Sequence, residues 1–121
     1  MKVANRYRVM RHKDRVMPTV VPRSLLGRGH MLDIRIWRLG PGAEPMLLVN
    51  ASKKFGHAVQ RNLFRRRVRM SFLRILRERL LTDMVECVVW IRPARGVTSN
   101  NVFSFQLVED QIRLALSRWE V

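Results

Sequence analysis

The stretch from His57 to Leu81 carries two faces of opposite character, and any fold for this chain has to satisfy both. At about 100° per residue, Phe64, Val68 and Ile75 form one helical stripe, at i, i+4 and i+11. Arg61, Arg65 and Arg69 form another, at i, i+4 and i+8, with Asn62 and Arg66 beside it. Farther on, Phe72, Leu73, Leu76 and Leu80 turn the extension of the basic face apolar. The helix therefore needs a core along its whole length and leaves only its first half open. Like charges at i, i+4 destabilise an isolated helix by about 0.2–0.5 kcal/mol per pair. A face built this way is suited to a polyanion that neutralises it.

The remaining pattern supplies the core. Residues 31–38 alternate: Leu32, Ile34 and Ile36 point one way, Asp33, Arg35 and Trp37 the other, as in a half-buried strand. Gly40-Pro41-Gly42-Ala43-Glu44-Pro45 reads as a turn, and residues 46–52 as a second strand, expected as a hairpin partner of the first. Met84–Ile91 is apolar on both parities, which predicts an interior strand covered on both faces. Thr98-Ser99-Asn100-Asn101 offers caps for a last helix from Phe103 to Trp119, with Phe105, Val108, Ile112, Leu116 and Trp119 on its apolar stripe. Near the start, Pro18 and Pro22 limit any helix within 13–26 to a short piece. The order is short helix, two or three strands, long basic helix, strand, helix. This is one α+β domain spanning 1–121, an α/β sandwich with helices packed on a small mixed sheet and a βαβ crossover.

The charge narrows the partner. The formal net charge is +15, and arginine supplies 20 of the 24 cations. Arginine's planar fork binds phosphate bidentately and stacks on bases, which favours nucleic acid over simple charge matching. Residues 1–82 hold 20 Lys/Arg against four acids, whereas residues 83–121 hold four against five. The first two-thirds read as a contact surface and the last third as scaffold. Apolar residues are 47% of the chain, enough for a folded core rather than a basic tail.

Catalysis by the protein itself is not expected. Nuclease chemistry needs clustered carboxylates for metal ions, or an acid–base pair. Asp14 and Asp33 stand isolated among cations, and His12, His30 and His57 lack ligand spacing. Cys87, the single cysteine, lies in an apolar run and reads as core. No apolar stretch reaches the ~18 residues of a membrane span, and the N-terminus has no hydrophobic signal segment. The Arg-rich, acid-poor start also has the composition of an organelle transit peptide. Its link to the basic contact surface favours a cytoplasmic protein.

The central run resembles the signature of the bacterial ribonuclease P protein subunit family, approximately Ser-Lys-Lys-x-Gly-x-Ala-Val-x-Arg-Asn-Arg-x-Lys/Arg-Arg-x-x-Arg. Ser52, Lys53, Lys54, Gly56, Ala58, Val59, Arg61, Asn62, Arg65, Arg66 and Arg69 match it. Asn5-Arg6, Lys13-Asp14 and Arg92-Pro93 resemble further landmarks, so the likeness extends weakly over nearly the whole chain. Leu63 stands where the pattern has its second arginine, and His57 where asparagine is usual. Arg15 and Thr19 occupy positions where the family's first helix carries phenylalanines.

The resemblance implies a ribosomal-protein-type α/β fold whose βαβ crossover is left-handed, against the usual rule. It implies a protein subunit that binds a catalytic RNA through Lys53, Lys54, Arg61, Asn62, Arg65, Arg66 and Arg69. Mg²⁺ held mainly by that RNA would hydrolyse a phosphodiester bond and remove the 5′ leader of precursor tRNA. The single-stranded leader would lie in a cleft for which Lys13, Arg35, Trp37 and Asn50 are the candidates. Read from the residues alone, Trp37 and Arg35 either pack against the first helix or form a base-stacking platform. Lys53 and Lys54 are either surface lysines or phosphate contacts at the helix start, and the second is favoured. The partners expected are the catalytic RNA and precursor tRNA, with neither membrane nor DNA. Rival readings are a small ribosomal protein, an autonomous RNase and a cationic membrane-surface protein. The last lacks a long amphipathic helix with an aromatic apolar face.

Overall fold

The run Cys-Val-Val-Trp-Ile buries every side chain and therefore occupies the middle of the sheet. A computed structural model describes residues 8–9, 21–38, 46–79, 87–101 and 104–119. The elements are strands β1 (Arg8–Val9), β2 (Leu32–Arg38) and β3 (Met46–Val49), helix α1 (Ala58–Arg79), strand β4 (Cys87–Pro93) and helix α2 (Phe105–Trp119). The sheet order is β1-β3-β4-β2. Strand β4 runs parallel to β3, with Met46 opposite Val88 and Val49 opposite Ile91. It runs antiparallel to β2 over seven pairs, from Leu32 opposite Pro93 to Arg38 opposite Cys87. Two residues of β1 extend the far edge, parallel to β3.

The β3–α1–β4 unit is the expected βαβ crossover. The expected β2–β3 hairpin is not formed: β4 lies between the two strands. A strand apolar on both faces is best served by hydrogen-bonded neighbours on both edges and helices above, and β2 and β3 flank it on either side. The short first helix expected within 13–26 falls outside the described residues as far as Val20, and residues 21–26 are not helical.

Strand periodicity sorts the apolar residues onto two sides. Leu32, Ile34, Ile36, Leu47, Val49, Cys87, Val89 and Ile91 face α1 and α2 and meet Phe64, Val68, Phe72, Ile75, Val108, Ile112 and Leu116 in one core. The opposite side carries a smaller cluster of Trp37, Leu48, Val88 and Trp90. Truncating a fully buried ring such as Phe72 would cost about 3–5 kcal/mol. Phe105 departs from its expected stripe and is 48% exposed. Helix α2 enters the core only at Val108, and the Phe105 ring instead lies 5.9 Å from the Arg67 guanidinium carbon.

Helix α2 is capped by Ser104, whose Oγ accepts from Leu107 N–H at 3.1 Å. The Thr98–Asn101 segment, read as a cap, closes its own turn instead: Asn101 Oδ1 accepts from Thr98 N–H at 2.9 Å. Gln111 ties α2 to the start of β2, its Oε1 accepting from Met31 and Leu32 N–H at 3.1 and 2.9 Å. Farther along, Arg74 and Arg113 alternate with Glu78 and Glu109 in a four-member ion network joining the two helices. Hydrogen bonding to Arg113 is the main cause of the lowered Glu78 pKa, and hydrogen bonds to Glu78 and then Glu109 raise that of Arg113. Among the described residues, no helix is long and apolar enough to cross a membrane.

Candidate nucleic-acid interface

The basic helix is anchored where it begins. The preceding loop turns at Ser52–Phe55, with Phe55 N–H donating to Ser52 O at 3.0 Å. Phe55 is buried and tilts against Phe64, ring centroids 5.2 Å apart. Its carbonyl accepts from Ser99 N–H at 2.7 Å, binding this loop to the one after β4. Gly56 makes the approach possible: a Cβ there would lie 2.6 Å from Ser99 Oγ and 2.9 Å from Ser99 Cβ. His57 is the residue before the helix, and its N–H donates to Gln60 Oε1 at 2.8 Å, the reach-back half of a capping box.

From that anchor the cations follow in register. Arg66 and Arg69 are exposed, and Arg61 and Arg65 half-buried. Arg61 donates to Gly56 O at 3.2 Å, and Arg65 to Asn62 Oδ1 at 3.0 Å, so both guanidinium groups are held in place by neutral acceptors. Among the described residues, none of Arg61, Arg65, Arg66 and Arg69 has a carboxylate within ion-pair distance. The paired acids begin at the ion network of Arg74 and Glu78. Lys53 and Lys54 are exposed in the loop before the helix. Leu63 is 43% exposed on the same half of α1.

Beside this face, the sheet edge opens into a cleft of about 750 Å³. Its lining includes Lys54 from the basic loop, Arg35 and Asp33 from β2, Asn50 after β3, and Arg92 and Arg95 at the end of β4. Lys54 thus belongs to both surfaces. Asn50 Oδ1 accepts from Trp90 Nε1 at 2.6 Å, which fixes the amide and leaves its NH₂ as the unsatisfied side among the described residues. The Arg92 guanidinium carbon lies 4.7 Å from the Trp90 ring centroid.

Asp33 organises the cleft's cations. It meets Arg35 Nε at 3.1 Å and Arg92 Nε at 2.8 Å. Burial works to raise the Asp33 pKa, but hydrogen bonds from Arg35, Arg92 and Ser24 outweigh it and hold the carboxyl below its ordinary value. Arg35 is bound on every side, to both Asp33 oxygens and, through NH1, to Pro22 O at 2.9 Å. It is a strut between the segment before β2 and the strand. Arg92 commits only Nε, so its terminal nitrogens carry no hydrogen bond among the described residues.

Of the sequence candidates for the cleft, Arg35 and Asn50 are brought together. Trp37 is not in the lining: it is 8% exposed and packs edge-on to Trp90, centroids 6.2 Å apart. Trp37 stands on the opposite parity from the helix-packed residues, where Leu48, Val88 and Trp90 cover it. Lys13 lies outside the described residues. Sequence reasoning marked Arg92 only as part of the Arg92-Pro93 landmark, with no place in the cleft, and gave no role to Arg95. Beyond that resemblance, their signal was position, close after a run apolar on both parities. Among the described residues, no group of three or more His, Cys, Asp or Glu side chains stands where it could hold a metal ion.

Comparison with known proteins agrees with this arrangement. A family model described as ribonuclease P matches residues 28–118. No curated protein matches in sequence. Among solved structures, the RNase P protein of Staphylococcus aureus is similar, with a TM-score of 0.57 and 14% identity over 78% of this chain and 80% of that one.

Proposed function

The chain belongs to the ribonuclease P protein family, and we propose from that membership and from the basic face of α1 how it serves precursor-tRNA processing. It acts as a subunit of the endoribonuclease that removes the 5′ leader of precursor tRNA, with the catalytic RNA as its partner. Lys53, Lys54, Arg61, Asn62, Arg65, Arg66 and Arg69 bind that RNA by neutralising phosphates. The observation that carries this reading is the row Arg61, Arg65, Arg66 and Arg69, without acid partners among the described residues, on an anchored helix, ending where the ion network begins. Recognition of this kind is electrostatic and shape-based rather than base-edge readout.

The single-stranded leader lies in the cleft, against Lys54, Asn50 and Arg92. Asn50 offers N–H donors to a base carbonyl or a phosphate oxygen, and Arg92 offers its terminal nitrogens. The chemistry belongs to Mg²⁺ held mainly by the RNA. The cleft itself does not fit a divalent cation, because the carboxylate of its Asp33 is already engaged by two guanidinium groups.

Reconstitution tests the reading. The protein is mixed with a bacterial ribonuclease P RNA and precursor tRNA at low Mg²⁺, beside protein alone, RNA alone, and RNA with an unrelated basic protein. Cleavage at the mature 5′ end that needs both components is the expected result. Stimulation no greater than that by the unrelated basic protein would leave only a generic RNA-binding domain.

A further inference from the structure

The cleft does not end at Asp33. A second hollow of about 390 Å³ lies on the other side, and Asp33, Arg35, Ala94 and Arg95 line both. We propose that this second hollow is a further subsite for the leader, taking the phosphate of a nucleotide beyond those held by Asn50 and Arg92. The inference rests on the leader reading above.

The chemistry of the lining points to a phosphate. Arg28 and Arg95 are exposed, with no ion pair or hydrogen bond among the described residues. His30 stands beside them. Its Nδ1 is hydrogen-bonded to Gly27 O at 2.9 Å, which makes Nδ1 the donor, and Nε2 has no hydrogen bond among the described residues. The turn that presents Arg28 and His30 depends on Gly29, whose φ of +88° is a conformation side chains rarely adopt. Among the described residues, the lining contains no Phe, Tyr or Trp to serve as a platform for a stacked base.

The wall between the two hollows does not repel a polyanion. The negative charge of Asp33 is met by both Arg35 and Arg92, so a strand crossing it passes over a net positive divider. The hollow's volume falls at the lower end of the ~300–1,000 Å³ of small-ligand sites, enough for about one nucleotide. A phosphate in this hollow would lie outside the reach of α1, so its contribution adds to leader binding and not to assembly with the catalytic RNA.

The test uses holoenzyme reconstituted with the catalytic RNA and precursor tRNAs whose leaders lengthen one nucleotide at a time. Affinity is measured for the natural protein, Arg28→Glu and Asn50→Ala. The natural protein should gain affinity in two stages as the leader grows. Arg28→Glu should remove only the second stage, weakening long-leader binding roughly tenfold and lowering its salt slope by about 0.7. Its affinity for short leaders and its folding should be unchanged, because Arg28 is exposed. Asn50→Ala should lower the first stage. Equal affinity of Arg28→Glu and the natural protein at every length would overturn the subsite. So would an equal loss at every length, including no leader, because the charge would then act elsewhere. If the natural protein ignores leader length altogether, the leader reading itself fails, and the subsite with it.

Discussion

Asp33 and Arg92 stand directly opposite each other across the β2–β4 ladder, and the carboxylate meets the guanidinium at 2.8 Å. This pair, with Arg35 on the other side of the same carboxylate, shapes the floor of the cleft. Asp33→Asn keeps the size but gives up the charge, and should cost about 1–3 kcal/mol in urea unfolding. The pH dependence follows from the lowered Asp33 pKa. A carboxyl whose folded pKa lies below its unfolded value stabilises the fold above the unfolded pKa, near ~4. That stability is lost as pH falls through the folded pKa. The natural protein should therefore lose more of its urea midpoint below about pH 4 than Asp33→Asn does.

Arg65→Ala/Arg69→Ala should weaken RNA binding and flatten its salt dependence. Each phosphate contact contributes about 0.7–0.9 to the slope of log K against log salt, so two should remove about 1.4–1.8. Filter binding over a salt series measures it. An unchanged slope would show that α1 does not face the RNA.

Gly56→Ala should destabilise the protein by about 1–3 kcal/mol, because its Cβ would sit inside contact distance of Ser99. Ser99→Gly removes both atoms that would clash. The double variant should recover part of the loss, and a double-mutant cycle by thermal or urea unfolding reads the coupling. Additive losses would show that the two loops can part without strain.

Trp90→Phe removes the N–H that holds Asn50 while leaving most of the ring packing. Loss of a neutral hydrogen bond worth about 1 kcal/mol should reduce leader affinity roughly fivefold. Binding of the catalytic RNA should not change. A titration of holoenzyme with leader-bearing and leaderless tRNA separates the two effects.

The elements were legible where periodicity spoke for itself. Phe64, Val68 and Ile75 are buried as their spacing required, and β2 alternates as read. Arg61, Arg65, Arg66 and Arg69 come out on the accessible half of α1, as their register demanded. What stayed hidden depended on which strand neighbours which. Adjacency in sequence suggested that β2 pairs with β3, and only the insertion of β4 places Asp33 opposite Arg92. Trp37 misled for a related reason: alternation shows that a residue leaves the main core, not that solvent awaits it. The second side of this sheet has a tryptophan cluster of its own. Ser104 was passed over as a cap because the richer run at 98–101 competed for the same role.

The Gly56–Ser99 contact and the Arg74–Glu109 network make α1 a beam supported at both ends. Its span between the supports owes its shape to the phenylalanine and valine stripe beneath, not to pairing among its own surface charges. The upper surface can therefore be rewritten at little cost to the beam. Leu63 sits exposed in that span where the family pattern has an arginine, and the helix runs through it without a break. Architecture and surface chemistry are thus separately adjustable in this molecule, and on the proposed reading RNA grip would be raised or lowered there one side chain at a time.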